Sequence, residues 1–339
     1  MSFPKENIWQ DLRSDCLDAI PEGCRTSLVA PVNLAEWQRQ GHYTVQAATN
    51  KQFEVITSTD DFGSALLTDV EYLLDNATEH QVSLWNHINS QQWISPAWLG
   101  VTVYYWAFFL ALATTRLTGR TSWFLTPEIA RDFKRLAPVG ASTPGAGCFR
   151  VTCGQAVSAT QRIVILRRTD TRIHDEVWRI WFTGCSGRVA KCTAVPGTSL
   201  EKPLFEAVAQ SARRLGDDWP SAFRNAINYR SGFAYSAVRG KEVSKSFGYL
   251  RSPSTYDLAV VLGRFKNSLL MAKSADPIFR NPQIVLRLLV DLTFMIHSLV
   301  TELHAELIER HRLDKRWRGG RRRFLQANGL CSDDGVWPL

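Results

Sequence analysis

The sequence predicts a mainly α protein: a helical bundle with a small antiparallel β insertion and a mixed α/β N-terminal part. Three observations carry that expectation. Apolar residues recur at spacings of three and four over residues 60–80, 96–115 and 282–317, the period of a helix buried on one face. Between them, residues 148–195 change to β-rich, partly alternating runs separated by turn residues. The chain is 339 residues long, 45% hydrophobic and 21% charged, a balance that builds a sizeable core and argues against wholesale disorder.

The elements follow in order. HYTVQAATNKQFEVITST, from His42, alternates well enough for one or two strands. From Asp60, Leu66, Leu67, Val70, Leu73 and Leu74 mark a helix that Asp60 or Asp61 caps. Residues 89–115 carry no charge, and Pro96 suits a first helical position. Thr102, Tyr104, Tyr105 and Thr114 interrupt the apolar part, so a buried central helix is expected here rather than a bilayer span. Thr126 and Pro127 open another helix, TPEIARDFKRLAP, and PVGASTPGAG (138–147) is a loop by composition. CFRVTC, QRIVILRRT and EVWRIWFTG read as strands. From Glu201 onward the spacing is helical again, including a helix through 219–237. The expected division is 1–80 mixed, 81–137 first half of the bundle, 148–195 β insertion, 201–318 second half and 319–339 a basic tail. No internal repeat is visible.

Forty Lys plus Arg against thirty-two Asp plus Glu give a formal charge of +8, which favours an anionic partner. MSFPKENIWQDLRSD carries charge throughout and does not read as a secretory leader. With seven cysteines, an odd number, this suggests a reduced, cytoplasmic protein without membrane attachment. Cys148, Cys153, Cys185 and Cys192 flank the β segment as two pairs. Their spacings are looser than those of a zinc site, so buried thiols are the preferred reading and no metal or cofactor is expected. His297, His304 and His311 recur every seven residues along one helix face. Consecutive members are about 10 Å apart, too far for one metal.

The same helix leads into ERHRLDKRWRGGRRRF. Arg310, Arg312, Lys315, Arg316, Arg318, Arg321, Arg322 and Arg323 place eight formal positive charges there. Arginine grips phosphate bidentately and an aromatic face stacks a base. Arg316, Arg318, Arg321, Arg322, Arg323 and Trp317 are therefore candidate nucleic-acid contacts. Gly319 and Gly320 are expected to break the helix and leave the arginine triplet on a mobile loop.

DDWPSAFRNAINYRSGFAYSAVRG, residues 217–240, sets Arg224 beside Asn225 on a helix. Such a pair can hold a phosphate, or it can pin one helix to another. Two stretches together resemble a known family. SPAWLGVTVYYWAFFLALATTRLTG (95–119) resembles the tyrosine-rich central helix of HEPN-type and YaaC-like helical bundles. FRNAINYR resembles their later helix, whose motif is Arg, a polar residue such as Asn, and a His a few residues on. Arg224 and Asn225 match its first half, while Tyr229, Arg230 and Ser231 stand where the His would fall. The resemblance covers about 50 residues. It implies a bundle, often dimeric, of prokaryotic toxin–antitoxin or anti-phage systems.

Active members cleave RNA without metal. The His moves a proton at the ribose 2′-hydroxyl or the leaving oxygen, and the Arg stabilises the phosphorane. Arg224, Asn225 and Arg230 are thus the candidate catalytic residues. The partner implied is nucleic acid, RNA ahead of DNA, with the chain a homodimer or a subunit of a larger complex. The alternative is a non-catalytic scaffold subunit that holds a partner protein through a tryptophan-rich surface (twelve Trp) and the β insertion.

Overall fold

The computed structural model describes residues 4–89, 95–192, 200–230, 257–272, 281–310 and 313–330. Their order is α1 (Asn7–Ala19), α2 (Leu34–Gln40), β1 (Tyr43–Ala48), β2 (Gln52–Ser58), α3 (Thr59–Asn89), α4 (Pro96–Leu117), β3 (Arg120–Leu125), α5 (Pro127–Leu136), β4 (Gly147–Ala156), β5 (Gln161–Thr169), α6 (Ile173–Lys191), α7 (Glu201–Leu215), α8 (Trp219–Tyr229), α9 (Leu258–Met271), α10 (Pro282–Arg310) and α11 (Lys315–Ala327). The protein is mainly α with a small antiparallel sheet.

The sheet has five strands in the order β1-β2-β5-β4-β3, every pair antiparallel. Of the first two strands, predicted in the N-terminal region, β1 pairs with β2, and β2 pairs directly with β5, Val55 opposite Val164. The sheet is therefore built from both sequence regions, and α3 runs across the boundary expected at residue 80. Strand alternation puts Phe53, Val55, Phe149, Val151, Val164 and Leu166 on one face. There they pack with Trp37, Phe62 and Phe133 from α2, α3 and α5.

EVWRIWFTG is not a strand. It lies within α6, and Val177, Trp178, Ile180, Trp181 and Phe182 are buried. Bulky β-formers gave the segment its strand-like look, but Asp175 and Glu176 in the first turn suit a helix N-terminus. Thr171 Oγ1 donates to Glu176 Oε2 at 2.7 Å and Arg150 Nε donates to Oε1 at 2.7 Å, which fixes the start of α6 over β4.

The larger core is helical. Trp9, Leu67, Val70, Tyr104, Trp106, Phe108, Trp178, Phe223, Leu289 and Phe294 belong to one continuous buried cluster. Thr126 caps α5 through the amide of Ile129, as its sequence suggests. Gly119 turns the chain from α4 into β3 at φ +64°, where a Cβ would also meet Cys153 Sγ at 2.8 Å, so only glycine fits. Arg116, at the end of α4, joins Asp69 of α3 at 3.1 Å and donates to Ser122 O of β3 at 3.0 Å. That buried cation ties the sheet to the bundle.

Two helices are long and apolar enough to cross a membrane, Ala97–Leu117 and Pro282–Arg310. Their most apolar windows are 61% and 78% buried inside the protein, which is how core helices behave. Tryptophan is mostly interior too. Among the described residues Trp9, Trp37, Trp106, Trp123, Trp178, Trp181, Trp219 and Trp317 are buried, Trp85 is half-buried and Trp98 is exposed.

The glycine pair does not break the last helix. Residues 315–327 form α11 straight through Gly319 and Gly320. A glycine costs a helix about 1 kcal/mol relative to alanine, and side chains on either side of the pair anchor the helix to α3. His311 and Arg312, the 231–237 part of the predicted 219–237 helix and the 331–339 part of the basic tail lie outside the described residues.

Candidate anion-binding site around Arg224

Four helices meet at Arg224. Ser221 Oγ of α8 donates to Asp175 Oδ1 of α6 at 2.5 Å. Arg179 of α6 grips Asp217 and Asp218, just before α8, at 3.3 and 3.1 Å. These contacts hold α8 against α6 and turn Arg224 toward the tyrosines of α4. Arg224 Nη2 donates to Tyr105 Oη at 2.7 Å, and Nη1 donates to Asn225 Oδ1 at 2.8 Å. The guanidinium carbon lies 5.6 Å from the Tyr105 ring centre and 5.9 Å from those of Tyr104 and Tyr229, within cation–π range.

The missing element is a counter-ion. Among the described residues no carboxylate lies within ion-pair distance of Arg224, and its buried Nε has no hydrogen-bond partner. Aromatic rings and two neutral oxygens surround a permanent cation. Arg224 is half-buried, so its charge faces solvent and neutral groups rather than a protein carboxylate, and it can pair with an anion that arrives from solution.

A histidine is present, though not where the local motif would put it. His174, in the first turn of α6, has Nδ1 2.9 Å from Tyr104 Oη. Its ring stacks on Phe108 at 4.2 Å and stands 5.9 and 6.1 Å from the Tyr104 and Tyr105 rings that Arg224 also faces. Burial, and then the Arg224 charge, pull its pKa from 6.5 down to about 4. Burial raises the Tyr104 hydroxyl, so Tyr104 stays protonated. When it donates to Nδ1, the imidazole proton sits on Nε2; in the other tautomer Nε2 is the free acceptor. His80 of α3 stacks on Tyr105 at 5.5 Å and Phe109 at 5.6 Å, and burial lowers its pKa as well.

Arg224 and Asn225 thus come together with Tyr104, Tyr105, Tyr229 and His174. Arg230 is the exposed C-cap of α8, past the helical turn that carries the pair. The local motif could not reveal His174, because it lies 50 positions before Arg224. The signals that do mark it are the tyrosine pair on α4 and the acidic helix start that follows TDTR.

The basic segment divides in two. Trp317 Nε1 donates to Asp75 Oδ2 at 2.6 Å, and Arg321 Nε donates to Asp75 Oδ1 at 2.8 Å. Arg321 Nη2 also donates to Glu71 Oε2 at 2.8 Å. Glu71, 1% exposed, meets His304 Nε2 at 2.6 Å. Burial alone would raise the Glu71 carboxyl, but His304 and Arg321 together hold it down at about 2. Trp317 and Arg321, expected to touch nucleic acid, instead fasten α11 to α3. Leu325, one turn on, packs with Val82. The opposite side of the helix presents Lys315, Arg316, Arg318, Arg322 and Arg323, all exposed. Arg316 pairs with Asp314 at 3.2 Å while 66% exposed, a geometry that contributes little and exchanges easily.

Cys148 and Cys153 of β4, Cys185 of α6 and Cys192 at its C-cap are free thiols, and among the described residues no group of three or more His, Cys, Asp or Glu is placed to hold a metal ion. Comparison of the chain with protein-family models, with curated proteins and with solved structures finds no match.

Proposed function

We propose that this chain is a cytoplasmic, HEPN-like helical-bundle protein that binds single-stranded RNA and cleaves it without metal, as part of a phage- or plasmid-defence or toxin–antitoxin system. One observation supports this above the others: an uncompensated arginine and a neutral histidine sit against the same two tyrosine rings. Arg224 supplies the positive charge that a pentavalent phosphorane needs. His174, with its pKa pulled toward 4, is unprotonated at neutral pH and can act as general base. The 2′-oxygen attacks phosphorus and its proton passes to His174. The 5′-oxygen leaves and takes a proton from water, leaving a cyclic 2′,3′-phosphate and a 5′-hydroxyl. Only RNA carries the 2′-hydroxyl, so RNA is the substrate class. The cationic face of α11 attracts the backbone and sets a salt-dependent affinity. The scaffold alternative has less support, because eight described tryptophans are interior.

The test is ribonuclease assay of the purified protein in chelator, on single-stranded RNA and on its all-deoxy counterpart, with Arg224→Ala and His174→Ala alongside. RNA should be cut to cyclic-phosphate ends, and both variants should lose cleavage while melting close to wild type. Binding without cleavage, unaffected by either change, would sink the catalytic reading. Absence of RNA binding at low salt would sink the whole proposal.

A further inference from the structure

Between α3 and α11 lies an open cavity of about 290 Å³, lined by Leu28, Asp75, Thr78, Glu79, Arg316, Trp317, Gly320, Arg321 and Phe324. It lies on the side of the molecule that carries the basic face and is distinct from the Arg224 cluster. Its walls are mixed, and their apolar part is partly bare: Leu28 is 45% exposed and Phe324 is 42% exposed. Gly320 lines it without a side chain, and Leu28 is held in place because its amide donates to Asp314 Oδ2 at 2.9 Å.

Nearly every polar group in the lining already has a partner. Asp75 accepts from Trp317 and Arg321, and Thr78 Oγ1 donates to Leu74 O at 2.7 Å. Arg316 forks onto Asp314. The exception is Glu79, an exposed carboxylate that joins no ion pair among the described residues. A planar ligand entering here would therefore find the exposed Phe324 ring to pack on and one acceptor without an ion-pair partner, Glu79. Arg316 lines the cavity, and the other exposed cations of α11, Arg318, Arg322 and Arg323, lie round the helix from it, so negative charge that the ligand carries outside the cavity has cations to reach. A nucleotide of a single strand meets all three conditions, with the base inside and the phosphates on arginine. Among the bases, guanine offers two adjacent donors, N1–H and N2–H, on its Watson–Crick edge, which matches a carboxylate. Adenine and cytosine offer one donor beside an acceptor. Uracil offers one donor between two acceptors.

We propose that this cavity holds one guanine base of a bound single strand, stacked against Phe324 and read by Glu79. The inference rests on the RNA-binding reading above and names the part of the strand that sets its register.

The experiment measures binding of the full chain to end-labelled uridine 10-mers in which one central nucleotide is guanosine, adenosine or an abasic ribose. The guanosine strand should bind about tenfold tighter than the abasic one, the usual worth of one stacked base. Phe324→Ala should bring the guanosine strand to the affinity of the abasic strand. Glu79→Gln should erase the preference for guanosine over adenosine while keeping the gain of both over the abasic strand. A guanosine-to-abasic ratio that survives Phe324→Ala would place the base elsewhere and overturn the proposal. Equal affinities for all three strands in wild type would overturn it while leaving RNA binding by the basic face intact. No binding by any strand would overturn both.

Discussion

Arg224 and Arg321 are both arginines beside aromatic side chains at the meeting of helices, yet their surroundings are opposite. Arg321 meets Glu71 and Asp75, and His304 completes the set. Its charge is neutralised within the fold. Arg224 meets a tyrosine hydroxyl, an amide oxygen and three ring faces. Its charge remains available to a ligand. Arginine beside aromatics is therefore no sign of function by itself; whether a carboxylate neutralises it is what sets these two apart.

The largest effect should come from breaking the compensated site. Glu71→Ala leaves Arg321 and His304 without their shared carboxylate, and loss of one partner from a buried ion pair costs about 3–5 kcal/mol. Denaturant unfolding at neutral pH measures it. Arg224→Ala should instead shift stability by about 1 kcal/mol, one hydrogen bond's worth, while RNA cleavage falls by about 10²–10³-fold. Equal destabilisation by the two changes would erase the distinction between the sites.

Next in size is a salt effect. Replacing Arg318 and Arg323 together by alanine should lower the log–log salt slope of single-strand affinity by about 0.7 for each phosphate no longer neutralised. The same measurement on Arg321→Met should show the slope unchanged, since that charge faces inward.

Two pH effects are smaller. The Glu71 carboxyl stands at about 2 when folded against 4.5 ordinarily, so its contribution is complete above about 4.5 and is lost as pH falls toward 2. Glu71→Gln should flatten the fall in melting temperature across that window. His174 is depressed to about 4 from 6.5, so it keeps its unprotonated form well into acid. The acidic limb of kcat/KM for RNA cleavage should therefore lie near 4 rather than 6.5.

Local signals were legible in the sequence wherever a single element explains them. The helices from Asp60 and Pro96 and the Thr126 cap depend on neighbours within a few positions. What failed depends on distant partners. The 176–184 segment is a helix buried on several sides, so its apolar residues lack a one-face rhythm. Gly319 and Gly320 stay helical because Trp317 and Arg321 bind α3, some 240 positions earlier. For the site, Arg224 and Asn225 were visible as a pair, and the tyrosines of α4 as a core stripe. Their convergence with His174 required the packing of α8 on α6, which no spacing in the sequence encodes.

The sheet's strand order has a consequence during synthesis. β2 pairs with β5, yet about 100 residues separate Ser58 from Gln161. A ribosome adding about 5–20 residues per second takes roughly 5–20 s to cover that distance. For that interval the β1–β2 hairpin has emerged with Phe53 and Val55 uncovered by β5 and one edge unpaired, an invitation to chain–chain association. The longer that interval, the longer the hairpin stands exposed to such association before the sheet can close.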